Sequence, residues 1–128
     1  MTRRRVLAIA VTLRVLVVAV AALLDRALSR FEQLDRHRQP ATITYADGGT
    51  HDTGIVRERS LLLGSVKRYS LYTGRSPDFT YGHVVRLSWS GGDRPVLREA
   101  IRERDGVRAR FTSGHEIFVP SRYFMFGR

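Results

Sequence analysis

The chain has 128 residues and no cysteine, which excludes a disulfide framework and any thiolate metal site. Its formal charge of +10 rests almost wholly on arginine, since Lys67 is the only lysine. The excess is spread evenly, with 8 arginines against 3 acids in residues 1–40 and 14 cations against 9 acids in residues 41–128. An arginine bias of this kind also follows from a GC-rich coding sequence, so it marks no specific nucleic-acid partner.

Val6 to Leu24 reads VLAIAVTLRVLVVAVAALL, 19 residues with one charge, Arg14, and one hydroxyl, Thr12. At about 1.5 Å per residue such a helix covers roughly 30 Å, the thickness of a bilayer's hydrocarbon core. An Arg near the middle costs about 2.5 to 3.5 kcal/mol on insertion. Leu, Val or Ile fills 12 of the 19 positions, and at about 0.3 to 0.6 kcal/mol each they contribute roughly 4 to 7 kcal/mol the other way. The sum favours a spanning segment. A cleaved signal peptide is the rival reading, because Arg3, Arg4 and Arg5 precede the apolar run and Ala19-Val20-Ala21 is a small-residue site. Against it, Arg14 splits the apolar run, which also continues through Leu24, past that site.

Intramembrane charges face protein or water, so Arg14 is either tolerated, by snorkelling or a local water defect, or finds a carbonyl or carboxylate on a partner helix, while Ala8, Thr12, Ala19 and Ala22 offer small faces for self-association. Charge counting alone does not orient the segment, since Arg26, Arg30, Arg36 and Arg38 follow it. Translocating a short tail of three Arg is unfavourable, whereas a long C-terminal domain crosses largely regardless of charge. The expected arrangement is N-terminus cytoplasmic and domain outside. The anionic membrane surface is a sufficient partner for the four arginines that follow.

Leu24, Leu28, Phe31 and Leu34 recur at helical spacing, so residues 25–40 read as a juxtamembrane amphipathic helix or linker ended by Pro40. From Ala41 the pattern alternates. Thr42 to Tyr45 is strand-like, Asp47-Gly48-Gly49 is a turn, and Thr53 to Val56 returns. Leu61-Leu62-Leu63, stopped by Gly64, reads as a short buried strand. Val66 to Tyr72 follows, and Gly82 to Trp89 is the best strand, with Val85, Leu87 and Trp89 inward. Residues 96–104 suit either a helix or a strand, and Asp105-Gly106 ahead of the alternating Val107 to Phe111 favours a hairpin. Glu116 to Val119 is the last strand, and the aromatic run Tyr123 to Phe126 packs back on the sheet. The fold class is thus an N-terminal transmembrane helix (1–24), the linker (25–40) and a small all-β domain (41–128), an antiparallel barrel or sandwich of about seven short strands.

Phe79-Thr80-Tyr81-Gly82-His83 and Phe111-Thr112-Ser113-Gly114-His115 share four of five residues. The simple reading is a recurring turn with Gly82 and Gly114 at positive φ. The sharper one gathers His51, His83 and His115, with Asp52 or Glu116, into a metal or small-ligand site, although no local ligand spacing supports it. No phosphate loop, His-Glu-x-x-His or nucleophile elbow occurs, so neither an enzyme nor a cofactor is expected.

Gly82 to Leu87 and Gly106 to Pro120, with the anchor-plus-domain plan, resemble the uncharacterised small single-pass membrane proteins of high-GC actinobacteria. That resemblance implies a bacterial envelope protein and carries no activity. Taken with the residues, it gives a membrane-anchored protein whose extracytoplasmic β domain serves an interaction or structural role. The alternatives are a ligand or metal binder on the three histidines, or a secreted protein after signal cleavage.

Overall fold

A computed structural model describes residues 2–90 and 92–127. Helix α1 runs over Arg3–Ala27, and seven strands follow: β1 (Ser29–Arg38), β2 (Asp52–Ser60), β3 (Val66–Gly74), β4 (His83–Leu87), β5 (Leu97–Glu103), β6 (Gly106–Phe111) and β7 (Glu116–Pro120). They form a four-stranded sheet in the order β1-β2-β3-β4 and a three-stranded sheet in the order β5-β6-β7, and no closed barrel forms among the described residues. An apolar N-terminal helix followed by a small all-β part matches the fold class read from the sequence.

Two compact units are distinguished. Residues 1–30 and 59–67 make the first, and residues 31–58 and 68–128 the second. In the second unit both sheets contribute to one core, built from Ile55, Leu71, Leu97, Val107, Ala109, Phe111 and Val119 with Tyr45 and Phe124. Phe124 is fully buried, so the aromatic tail does return to the core. Its ring meets Tyr45 edge-on at 5.2 Å, and the Tyr45 hydroxyl donates to the Gly106 carbonyl at 2.9 Å.

The β5–β6 hairpin forms, with Glu103 opposite Gly106. Arg104-Asp105 is therefore the two-residue loop, and Gly106 is already in the strand. Glycine is required there by close approach, since a Cβ would lie 2.3 Å from the Val119 carbonyl oxygen and 2.7 Å from the Phe118 ring.

Three expectations are corrected. Residues 29–38 are strand, not amphipathic helix. Leu34 turns toward the core while Phe31 faces out, and Glu32 pairs with Arg57. Four apolar residues at spacings of three and four are too few to resist pairing with a neighbouring strand, and local helix propensity is a weak prior. The many charges of β1 suit its place at the sheet edge, where they discourage pairing with another chain. Thr42 to Tyr45 is irregular rather than strand, with only Tyr45 fully inward. Leu61-Leu62-Leu63 is not a buried strand; it is the exposed turn joining β2 to β3.

The two echoed segments also differ. Gly114 has φ +89 in the β6–β7 turn, as a recurring turn requires, but Gly82 does not adopt positive φ. Phe79 takes the left-handed conformation instead, at φ 59. Gly82 is needed because a Cβ would sit 2.6 Å from the Tyr72 ring and 2.8 Å from the Thr73 carbonyl oxygen.

Candidate functional site

The helix carries the strongest functional signal. Over its 25 residues α1 is long and apolar enough to cross a membrane, and its apolar stretch is exposed. Thr12 satisfies its own hydroxyl by donating to the Ala8 carbonyl at 2.9 Å, which removes a polar cost within the helix. For Arg14 the helix offers no counter-charge, because no acidic residue precedes Asp25. It lines a shallow groove of about 380 Å³ with Val15, Val18, Ala19 and Ala22, all on one face. Arg14 is 8 residues from Val6 and 10 from Leu24, or about 12 and 15 Å of helix. Neither end of the apolar run is within reach of one arginine side chain.

The three histidines go to separate surroundings. His51 is fully buried in the second unit. Its Nε2 lies 3.0 Å from Asp47 Oδ2 and its Nδ1 lies 3.0 Å from Gln39 Oε1. The Gln39 amide is held in that sense by the His51 backbone N–H at 3.0 Å and by its own donation to the Ile43 carbonyl at 2.7 Å. Burial pushes the His51 pKa below its ordinary value, opposed by Asp47. For Asp47, burial pushes upward, but donation from the Gly49 and Phe126 N–H groups and the His51 ring together hold its carboxyl below the usual range. Arg102, also buried, donates from Nη2 to the His37 and His51 carbonyls at 3.0 and 3.1 Å. Each of these groups holds the irregular 39–51 segment against the core, a structural task.

His83 instead stacks on Tyr123 at 4.9 Å. His115 lies on the exposed β6–β7 turn, edge-on to Trp89 at 6.0 Å. Asp52 is engaged by Arg36 at 2.9 Å, and Glu116 by Arg110 at 2.5 Å. Among the described residues no group of three or more His, Asp or Glu side chains is placed to hold a metal ion. The three-histidine site is therefore not assembled.

One of the three does border a cleft. A cavity of about 480 Å³ opens in the second unit, lined by the apolar Leu87, Trp89, Phe111 and Ile117 and by six polar residues, among them Arg86, Ser113, His115 and Glu116. That volume falls in the range of small-ligand sites, and the lining mixes apolar and polar side chains. Trp89 is positioned by its Nε1 donation to the Asp93 carbonyl at 2.5 Å. The Ser113 hydroxyl is 2.9 Å from His115 Nδ1, a nucleophile–base pair in kind. Such a pair needs a third group to orient the base, and among the described residues none is bonded to His115. Of the residues whose alternation reads as inward, Leu87 and Trp89 line this wall and Val85 does not; Trp89 lies past the end of β4 rather than in the strand, and the β6–β7 contribution comes from pairing that no local pattern records. No protein-family model, curated protein or solved structure matches the chain.

Proposed function

We propose that α1 is an uncleaved single-pass anchor in a bacterial envelope membrane, with the N-terminus cytoplasmic, and that the β unit serves outside it as an interaction or structural module. The observation that carries the reading is α1 itself, a 25-residue helix whose apolar side chains have no protein to cover them. It continues without a break past Ala21 to Ala27, which favours retention over cleavage after Ala21. The partner class follows from Arg14. In a symmetric parallel pair of α1 helices, Arg14 would oppose its copy at the same depth, two like charges in a medium of low dielectric. A different helix with a carboxylate at that depth would satisfy the charge, and the small residues Ala19 and Ala22 allow it to come near.

The test is a photo-cross-linking residue at Val18 in the full chain, in native membranes. A cross-linked partner should be captured, and Arg14→Leu should improve insertion while abolishing the product. If the product survives Arg14→Leu unchanged, Arg14 is merely tolerated. Protease added to intact spheroplasts should remove the C-terminal unit; a protected unit would reverse the orientation.

The Trp89 cleft favours a second reading, in which the β unit binds a small ligand of apolar body. Trp89 is the only tryptophan, so occupancy should shift or quench the protein's indole emission.

A further inference from the structure

The turn between β2 and β3 belongs to the same unit as α1, and it is built in an unusual way for a surface turn. Leu61, Leu62 and Leu63 are 37, 58 and 81% exposed. Three consecutive exposed leucines form one apolar tip, and a contiguous apolar patch marks a contact with a membrane or a partner. Their backbone is held rigidly: Ser60 N–H donates to the Ser65 carbonyl at 2.8 Å, Ser65 N–H donates to the Ser60 hydroxyl at 2.9 Å, and Gly64 supplies the φ of +68 that the turn needs.

The turn is also fastened to the end of the helix. Asp25, in the last turn of α1, accepts from the Leu62 and Leu63 N–H groups at 2.6 and 2.9 Å. From the other side Lys67 Nζ donates to the Arg26 and Leu28 carbonyls at 2.8 and 3.0 Å and to the Ser29 hydroxyl at 2.8 Å, closing helix carbonyls that would otherwise lack partners. Leu62 and Leu63 therefore sit level with Asp25, the residue directly after the apolar run ends at Leu24.

Cations ring the same place. Arg26 and Arg30 flank the helix end, a Cβ on Gly64 would lie 3.3 Å from Arg30 Nη2, and Arg59 donates to the Gly64 carbonyl at 3.2 Å. Apolar tips with arginine and lysine around them match the bilayer interface, where leucine enters the acyl boundary and long cationic side chains reach the phosphates. Unsatisfied backbone N–H groups would oppose such entry, and Asp25 removes two of them.

We propose that Leu61-Leu62-Leu63 is a membrane-inserting tip, docked in the interfacial layer of an anionic bilayer beside the exit of α1, so that the chain grips the membrane at two points. The inference rests on the reading of α1 as a spanning helix. The wild-type chain has no cysteine, so single thiols can be placed at will. Leu63→Cys, Val15→Cys and Ser113→Cys variants of the full chain, each carrying the polarity-sensitive fluorophore NBD, are reconstituted in vesicles of phosphatidylcholine and phosphatidylglycerol, and quenching is read with lipids spin-labelled at shallow or deep acyl positions. The label at position 15 should be quenched by deep spin labels and that at 113 by neither. The label at position 63 should emit at shorter wavelength than the one at 113, and shallow spin labels should quench it. A deep label at 15 with aqueous labels at both 62 and 63 overturns the docked tip and leaves the anchor standing. Aqueous labels at both 15 and 63 overturn the two together. To exclude disturbance by the label, Leu62→Cys is read in parallel, and the proposal fails if both tip positions report water.

Discussion

Replacing Phe124 by alanine should remove most of the stability of the β unit. Phe124 is fully buried in the core, although it lies beyond the last strand, in the short aromatic tail. Truncating a buried Phe to Ala costs about 3 to 5 kcal/mol, from lost transfer free energy and the cavity left behind. Its ring also meets Tyr45 at 5.2 Å and His51 at 5.0 Å, both edge-on. Such aromatic pairs add roughly 0.5 to 1.5 kcal/mol beyond area, which places the loss in the upper part of that range. A unit of this size holds about 5 to 10 kcal/mol in total, so Phe124→Ala leaves little of the native state populated. Phe124→Leu, which keeps most of the volume, should cost only about 1 to 2 kcal/mol and remain measurable. The assay is urea unfolding of the full chain in detergent micelles, followed by the emission of Trp89 and extrapolated linearly. Phe126→Ala is the control: Phe126 is 68% exposed, and the change should stay within about 0.5 kcal/mol. If Phe124→Ala costs less than about 1 kcal/mol, the tail is not part of the core.

Residues 31–128 as a fragment should fold cooperatively, whereas 39–128 should not, because it lacks Leu34 and the Asp35 carboxylate that accepts from Arg94 and from the Leu97 N–H; hydrogen-exchange protection of β5 in both fragments checks this. Gly106→Ala and Gly82→Val should each destabilise by about 1 to 3 kcal/mol in the same urea assay, since the added carbons overlap backbone and ring atoms. For His51 the folded pKa lies below the ordinary value, so the unfolded chain takes up the proton first and stability falls as pH drops below about 6.5. The His51 contribution is at most about 1.4 kcal/mol per pH unit, and His51→Gln should remove it from a comparison between pH 7.5 and 5.5. The opposite slope would mean that a charged ring donates to both Asp47 and Gln39.

The readable parts of the sequence were those where local chemistry and final environment agree. Val6 to Leu24 is apolar on every side but for Thr12 and Arg14, so its helix is evident without any partner. Arg104-Asp105-Gly106 sets a two-residue hairpin between alternating runs, and β5 and β6 followed from it. Residues 29–38 misled because only Phe31 and Leu34 continue the helical stripe of Leu24 and Leu28 into them, while pairing beside β2 depends on residues distant in sequence. Leu61 to Leu63 misled for another reason. An apolar triplet reads as buried when water is assumed to be the solvent, and here the residues lie beside the end of a helix that can cross a membrane. The histidines illustrate the same limit, since equal spacing along a chain does not bring His51 ahead of β2, His83 at the start of β4 and His115 ahead of β7 to one point.

The central claim is that α1 stays on the protein as its anchor. Intact-mass measurement of the chain recovered from the membrane fraction tests it most directly. Retention gives the full 14.6 kDa chain, resistant to extraction at alkaline pH. A shorter chain beginning at Ala22, found in the soluble fraction, would contradict it.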